Sequence, residues 1–329
     1  MIMHSPVKKI PVGVLGASGY AGRELCALIA RHPSLELAFA TANEQRGTTV
    51  RLGGSPVTFV APEEAPLGDA ALVFAALPHG ASAEWTARAR AKGARVVDLS
   101  SDFRPGAPVQ GAIAAPYGLT EWARPAVAGA DVVANPGCYA TSVLMAVLPY
   151  VRRGLVAADA PVVINAASGV TGAGNSPKRE LLYAEVAEDY RAYAVGNVHR
   201  HLLEMRASVR DAGGEGVDLL FTPHLLPTAR GILSTIALPL TAAIADPMGP
   251  WCEDYANEPF VELVRETPAL RDVVHRNVVR LHAAVARDVQ RPTLLLFSAI
   301  DNLLKGAAGQ ALQNANLMLG LDEPLGLPA

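Results

Sequence analysis

The stretch "IPVGVLGASGYAGREL" (10–25) decides the fold of this chain. Its first half, Ile10 to Leu15, is a continuous apolar run of the kind seen in a parallel strand buried on both faces. Across the stretch Gly13, Gly16, Gly19 and Gly22 stand three residues apart. A helix pattern follows, with Ala21, Leu25, Leu28 and Ile29 on one face and "HPS" (32–34) as the stop. Glycines between a strand and a helix permit a tight turn and let backbone N–H groups approach a pyrophosphate, which the helix N-terminus stabilises. The pattern is G-x-x-G-x-x-G rather than the strict G-x-G-x-x-G, so the flanking strand and helix carry the reading against a purely structural turn. The expected contacts are Gly16, Ala17, Ser18, Gly19, Tyr20, Ala21 and Gly22.

Outward from this loop, strand and helix patterns alternate. "LELAFAT" (35–41), "ALVFAALP" (71–78), "ARVVDLS" (94–100) and "DVVANP" (131–136) read as further buried strands, and "ASAEWTARARAKG" (81–93) as a helix between two of them. That alternation implies a doubly wound parallel sheet. A dinucleotide site of this type usually has an acidic residue about 20 residues beyond the loop when it takes NAD. Here the second strand ends at Thr41 and "ANEQRG" follows, so Glu44 comes late, whereas Arg46 can meet a 2′-phosphate. Thr41 and Arg46 join the candidate contacts, and NADP is favoured.

Beyond Cys138 the texture changes. A helix over "SVLMAVLPYV" leads into the strand candidates "APVVINAAS" (160–168), "VDLLFTPHLLP" (217–227), "ILSTIALPL" (232–240), "NVVRLHAAVA" (277–286) and "PTLLLFSAI" (292–300). Short turns between several of them suggest a mixed or antiparallel sheet in a second domain. The last strong element, "GAAGQALQNANLMLGL" (306–321), is a helix expected to return to the first domain. The expected division is 1–137 for dinucleotide binding and 138–305 for catalysis, substrate binding and oligomerisation, with 306–329 packing on the former. "YANEPFVELV" (255–264) is open to reading as a lid.

Composition narrows the class. The chain has 329 residues, half of them hydrophobic, enough for one large or two medium domains. A net charge of -3, with both signs interspersed, argues against a nucleic-acid partner. No apolar run of about 18 residues reads as a membrane span, and "MIMHSPVKKIPVGVLG" has no secretory signal pattern. Cys26, Cys138 and Cys252 are odd in number, widely separated and without a C-x-x-C, which fits a cytoplasmic protein lacking disulfides or structural zinc.

"ANPGCYATS" (134–142) places Cys138 where Pro-Gly opens an apolar helix. The macrodipole and free N–H groups there favour a thiolate, the nucleophilic form, and can stabilise an oxyanion. A half-buried structural thiol is the bland alternative. Cys26 and Cys252 lie within helical patterns and read as small core fillers. Among eight histidines, "NVHRHLLEM" (197–205) stands apart, because His199, His201 and Glu204 crowd the start of a helix. His201 and Glu204 are three apart and can touch; a solvated charged patch is the competing reading. No third ligand at a recognisable spacing supports a metal. A dinucleotide loop, a helix-mouth cysteine and a histidine together suggest thiol-dependent aldehyde chemistry: Cys138 attacks a carbonyl, a nicotinamide exchanges hydride, and a histidine moves protons.

Nine blocks, from "GASGYAG" (16–22) through "LPHG" (77–80), "DLSSDFR" (98–104), "YGLTE" (117–121), "NPGCYAT" (135–141), "SGVTGAG" (168–174), "HRHLLE" (199–204) and "PHLLPTARGI" (223–232) to "DNLLKGAAGQA" (301–311), run in family order. By them the chain resembles the N-acetyl-γ-glutamyl-phosphate reductases of the aspartate-semialdehyde dehydrogenase-like group. The resemblance implies a Rossmann-type doubly wound parallel sheet plus a second α+β domain with a mixed or antiparallel sheet. It implies that Cys138 attacks N-acetylglutamyl 5-phosphate, that phosphate leaves, and that NADPH reduces the thioester to the 5-semialdehyde in arginine biosynthesis. It carries the acid/base to His199, with His201 as second choice and Glu204 as orienting carboxylate. Ser168, Gly169, Asn302 and Lys305 are implied to line cofactor and active site, and Arg104, Asn135 and Arg230 to contact the anionic substrate. A homodimer or homotetramer is implied. Leu203 stands where the family usually has proline, and "NVH" precedes Arg200, which leaves the choice of histidine open.

The competing functions are a reductase of carrier-linked 2-aminoadipyl phosphate in lysine biosynthesis, an aspartate-semialdehyde dehydrogenase and a catalytically silent NADP sensor. The first is disfavoured because its cysteine motif reads more like "GAGCNAT", the second because "HRH" and "GASGYAG" fit it less well. The third is disfavoured because both the cysteine and the histidine block are present. A short-chain dehydrogenase is excluded, since no tyrosine has lysine four residues on.

Overall fold

The computed structural model describes residues 9–107 and 113–329. Contacts divide the chain into two units. One comprises Met1–Arg104, Pro108–Asn135 and Ala308–Leu327; the other comprises Pro105–Ala107, Pro136–Ala307 and Pro328–Ala329.

The first unit begins with β1 (Ile10–Leu15), α1 (Tyr20–Arg31) and β2 (Leu35–Ala40). A hairpin, β3 (Thr49–Leu52) and β4 (Ser55–Thr58), precedes β5 (Leu72–Ala75), α2 (Ser82–Ala91), β6 (Arg95–Asp98), α3 (Thr120–Ala128) and β7 (Val132–Ala134). The main sheet is wholly parallel in the order β2-β1-β5-β6-β7. Val12, Val14 and Leu15 of β1 are fully buried, which is why that strand reads as unbroken apolar sequence. The chain leaves β1 for β2 on one side and later returns to β5 on the other. Such a reversal is a topological switch point, and its crevice at the strand C-termini is where open α/β sheets bind ligands.

The second unit is built on α4 (Cys138–Arg152), whose residues Tyr139 to Val151 are all buried. Seven strands follow: β8 (Val162–Gly169), β9 (Arg191–Ala192), β10 (Leu219–Leu226), β11 (Ile232–Pro239), β12 (Val261–Leu263), β13 (Val279–Val285) and β14 (Thr293–Ile300). Three helices lie among them: α5 (Tyr183–Val186), α6 (His201–Asp211) and α7 (Gly249–Tyr255). The sheet order is β12-β13-β14-β11-β8-β10-β9, with β8/β10 and β12/β13 parallel and the other pairs antiparallel.

Helix α4 is pinned to this sheet by polar contacts. The Ser142 hydroxyl lies 2.8 Å from that of Ser234 and 3.1 Å from that of Ser298, all fully buried. Pro149 lacks the N–H that would bond Met145 one turn back. The freed Met145 carbonyl instead accepts the Tyr255 hydroxyl at 2.8 Å, and the neighbouring Ala146 carbonyl accepts Trp251 Nε1–H at 2.9 Å. Residues 255–264 are therefore no lid. Tyr255 and Phe260 are buried, and Val261–Leu263 pairs with β13 at the sheet edge. On the opposite sheet face, Leu220, Val163, Ala237, Leu295 and Ala284 lie in one cross-strand row, half-buried or exposed.

The chain then makes a π-helical turn at Leu304–Ala308 and ends with α8 (Gly309–Met318). Helix α8 belongs to the first unit, where Asn314 Oδ1 accepts the Thr120 hydroxyl at 2.7 Å and its Nδ2 donates to the Gly118 carbonyl at 2.9 Å.

Candidate active site

In the first unit the glycine loop is a cradle with its backbone facing outward. Gly16 has φ 76°, in the left-handed region that favours glycine, and a Cβ there would meet the Ala76 carbonyl at 2.3 Å. A Cβ on Gly22 would come 2.3 Å from the Gly16 carbonyl, so this glycine lets α1 start tight against the turn. Gly19 caps α1 without a side-chain hydrogen bond, which leaves the first-turn amides of Tyr20, Ala21 and Gly22 to an external acceptor. Thr41 is fully buried at the end of β2. Its hydroxyl accepts the Gly16 N–H at 3.1 Å and its carbonyl accepts that of Ala17 at 2.7 Å, fixing the cradle to the sheet. Arg46 is exposed, with Nη1 donating to the Asn43 carbonyl at 3.2 Å. These residues fit a dinucleotide pyrophosphate.

Arg104 and Asn135 lie in the same unit and are turned into it. Arg104 donates from Nε to the Asn135 carbonyl and from Nη2 to the Leu99 carbonyl, both at 2.8 Å. Asn135 Oδ1 accepts Asn314 Nδ2–H at 3.1 Å, and its own N–H donates to the Asp98 carbonyl at 2.8 Å. Burial pushes the Asp98 carboxyl up, and it accepts hydrogen bonds from Ser82 and Ser100.

The thiol site lies in the second unit. Cys138 is the first residue of α4 and half-buried. The preceding Gly137 donates its N–H to Glu204 Oε2 at 3.0 Å. A Cβ on Gly137 would come 2.5 Å from both Glu204 Oε1 and His201 Nε2, so the turn into the cysteine rests on that pair. Glu204 and His201 are nearly fully buried, with Oε1 and Nε2 3.9 Å apart. On the other side, Gly306 of the π-helical turn lies against Cys138.

His199 is placed differently. Its Nδ1 accepts the His201 N–H at 3.2 Å, and its ring packs against Tyr139, Tyr193, His201 and Phe221. Burial, aided by the Arg200 charge, lowers its pKa to about 4, so the ring is neutral at ordinary pH. Burial also pushes the Tyr139 phenol far up; that hydroxyl donates to the His224 carbonyl and accepts from Tyr193, each at 3.1 Å.

Of the remaining predicted residues, Asn302 acts as a crosslink: Oδ1 accepts the Gly231 N–H at 2.8 Å and Nδ2 donates to the Thr171 hydroxyl at 2.9 Å. Arg230 donates to the fully buried Asp301 carboxylate at 3.3 Å. Gly169 and Ser168 end β8, and the Ser168 hydroxyl donates to the Gly169 carbonyl at 3.1 Å. Lys305 is fully buried, its Nζ 5.5 Å from the centre of the Phe260 ring. Sequence reasoning missed Gly137, Gly306 and Tyr139 as parts of the thiol site; their place inside "NPGCYAT" and "DNLLKG" was the available signal.

Residues 11–130 match the family model described as semialdehyde dehydrogenase, NAD binding domain, and residues 138–302 match semialdehyde dehydrogenase, dimerisation domain. An N-acetyl-gamma-glutamyl-phosphate reductase of Salinispora arenicola is 44% identical over 97% of this chain and 98% of its own. The chain belongs to the N-acetyl-gamma-glutamyl-phosphate reductase family. A reductase of the same name from Neisseria gonorrhoeae is 38% identical over 98% of each chain. Membership in this reductase family makes the protein an oxidoreductase. An aspartate semialdehyde dehydrogenase II from Vibrio cholerae shares the reductase fold, with a TM-score of 0.77 at 20% identity over 95% of this chain and 99% of its own. Among the described residues no helix is long and apolar enough to cross a membrane.

Proposed function

We propose that the protein catalyses the NADPH-dependent reduction of N-acetyl-L-glutamyl 5-phosphate to N-acetyl-L-glutamate 5-semialdehyde and phosphate, a cytoplasmic step of arginine biosynthesis. The observation that carries the proposal is Cys138 opening α4 on a Gly137 turn braced by His201 and Glu204, in a chain of this reductase family. The helix N-terminus favours the thiolate and offers amides to the oxygen of the attacked carbonyl. Cys138 Sγ forms a bond to the acyl carbon, the carbon–oxygen bond to phosphate breaks, and a thioester remains. NADPH, when bound, would supply a hydride to the thioester carbon; the carbon–sulfur bond then breaks, releasing the aldehyde and returning Cys138 as the thiolate.

Between the two histidines the geometry favours His201 as acid/base, because its Nε2 lies at the Gly137 turn beside the Glu204 carboxylate. His199 has Nδ1 committed to the His201 amide and a pKa of about 4, which makes it a poor base near neutrality. We assign it to positioning. Arg230, oriented by Asp301, supplies a guanidinium for a carboxylate or phosphate of the substrate. The functional division follows the two units, and the half-covered sheet face around Val163, Ala237 and Leu295 is the surface through which a homodimer forms, itself able to pair into a tetramer.

The test runs the reaction backward. NADP reduction is followed with N-acetylglutamate 5-semialdehyde, with and without phosphate, in the native protein and in Cys138→Ala. Phosphate-dependent turnover that disappears in the variant is the expected result. No turnover in the native protein would redirect the assignment to a carrier-linked substrate, and undiminished turnover in the variant would remove Cys138 from the chemistry.

A further inference from the structure

Arg23 stands in the first turn of α1, immediately after the glycine cradle. Its Nε donates to the Ser18 carbonyl at 3.0 Å, within the cradle, and its Nη2 donates to Gln45 Oε1 at 2.9 Å, in the loop that follows β2. These two segments flank the place where a dinucleotide-binding sheet meets the adenosine ribose, because the residue that recognises the ribose 2′ position comes from the end of the second strand. The guanidinium thus bridges the pyrophosphate cradle and the 2′ corner.

The charge at that corner is positive and lacks an internal counter-ion. Both hydrogen-bond partners of Arg23 are neutral, and among the described residues it forms no ion pair. The strand end offers no carboxylate: Thr41 turns its hydroxyl inward onto Gly16, and Ala42 and Asn43 follow. Glu44 is exposed. A guanidinium has five N–H donors in a planar fork, so two bonds to fixed neighbours orient the group and leave donors for a phosphate. Arg46, the residue that strand-end reasoning selects, is exposed and bonds within its own turn, with no tie to the cradle.

We propose that Arg23, held in plane by Ser18 and Gln45, is the residue that recognises the adenosine 2′-phosphate and so sets the preference for NADP over NAD. This deepens the cofactor reading above and rests on it. Arg46 contributes only long-range charge.

The experiment is calorimetric titration of the full-length protein with 2′,5′-ADP and with 5′-AMP, which differ only in the 2′-phosphate. The native protein binds 2′,5′-ADP more tightly. Arg23→Met weakens 2′,5′-ADP by about 10- to 100-fold, the range expected for losing a charge-assisted hydrogen-bonding partner, and leaves 5′-AMP unchanged. Unchanged 5′-AMP binding also reports that the cradle is intact. Arg23→Lys, which keeps the charge but loses the fork, recovers part of the preference. Arg46→Met changes 2′,5′-ADP by less than about threefold, as expected for an exposed charge. Equal weakening of both ligands by Arg23→Met would make the residue a loop brace and overturn the proposal. So would a loss carried by Arg46→Met alone, or no loss in either variant. A native protein without preference for 2′,5′-ADP would instead overturn the NADP reading, and the assignment of Arg23 with it.

Discussion

Gly306 lies directly against Cys138: a methyl group at position 306 would come 2.8 Å from the cysteine Cβ and 3.3 Å from its Cα. The neighbour it would strike is the start of a buried helix, not the end of a flexible side chain. The π-helical turn is held by Asp301, whose carboxylate accepts the N–H groups of Leu303 and Leu304 and whose carbonyl accepts that of Gly306. Gly306→Ala must therefore displace Cys138 or open the turn. A shift of about 1 Å in a reacting group costs on the order of 100-fold in rate. We expect kcat to fall by that order with cofactor affinity unchanged; a fully active variant would show that the turn yields freely.

The two histidines separate by kinetics. His201→Asn should lower kcat by about 100- to 10,000-fold, the usual worth of a general acid or base, and His199→Asn by about tenfold or less. Steady-state rates with saturating cofactor decide it. The opposite order would return the proton-transfer role to His199.

The stability of the protein should also depend on His199. Its folded pKa is about 4, below the value of about 6.5 for an exposed histidine. As pH falls below that higher value, the unfolded chain takes up the proton first and gains stability relative to the folded one. The contribution is complete above about pH 6.5 and is lost as pH drops toward about 4. Urea unfolding between these limits should show a shallower decline in His199→Gln than in the native protein. Parallel declines would place the pH dependence elsewhere, with the buried His32, also depressed by burial, as the next residue to replace.

Thiol labelling distinguishes the cysteines. Burial pushes the Cys26 thiol up to about 12, so it carries almost no thiolate near neutrality. Iodoacetamide followed by peptide mass spectrometry should modify Cys138 first and the exposed Cys252 more slowly, leaving Cys26 unlabelled until the chain unfolds. Loss of activity should track Cys138 alone. Activity that survives complete Cys138 labelling would contradict its role as nucleophile.

Tyr255→Phe removes the donor that satisfies the Met145 carbonyl opposite Pro149. Leaving a buried acceptor unsatisfied costs about 1–3 kcal/mol, so the urea midpoint should fall accordingly. An unchanged midpoint would mean that another donor reaches that carbonyl.

Much of the architecture was legible because it depends on local pattern. The β1 run, the spaced glycines and the Pro-Gly turn before Cys138 each announce an element through neighbours in sequence. What stayed hidden depends on partners distant in the chain. Val261–Leu263 is too short to read as a strand until β13 lies beside it. The strands of the β3/β4 hairpin are only four residues long, too short for the polar–apolar alternation of Thr49–Leu52 to stand out. Arg104 looks like an anion ligand in sequence, but its bonds to the Leu99 and Asn135 carbonyls appear only once β6 and β7 are side by side. Gly137 and Gly306 show no spacing that betrays them, because what they make room for comes from residues far along the chain.

The position of α8 in the first unit has a consequence for the order of synthesis. Chains leave the ribosome N-terminus first, and domains generally fold as they emerge. Here β1 through β7 appear early, yet the Gly118 carbonyl and Thr120 hydroxyl wait for Gln310 and Asn314, which arrive near the end. All of 136–307 is made in between. The unit begun first thus cannot close until α8 is made, after nearly all of the second unit, and a ribosome stalled before α8 holds a first unit whose Gly118 carbonyl and Thr120 hydroxyl still await that helix.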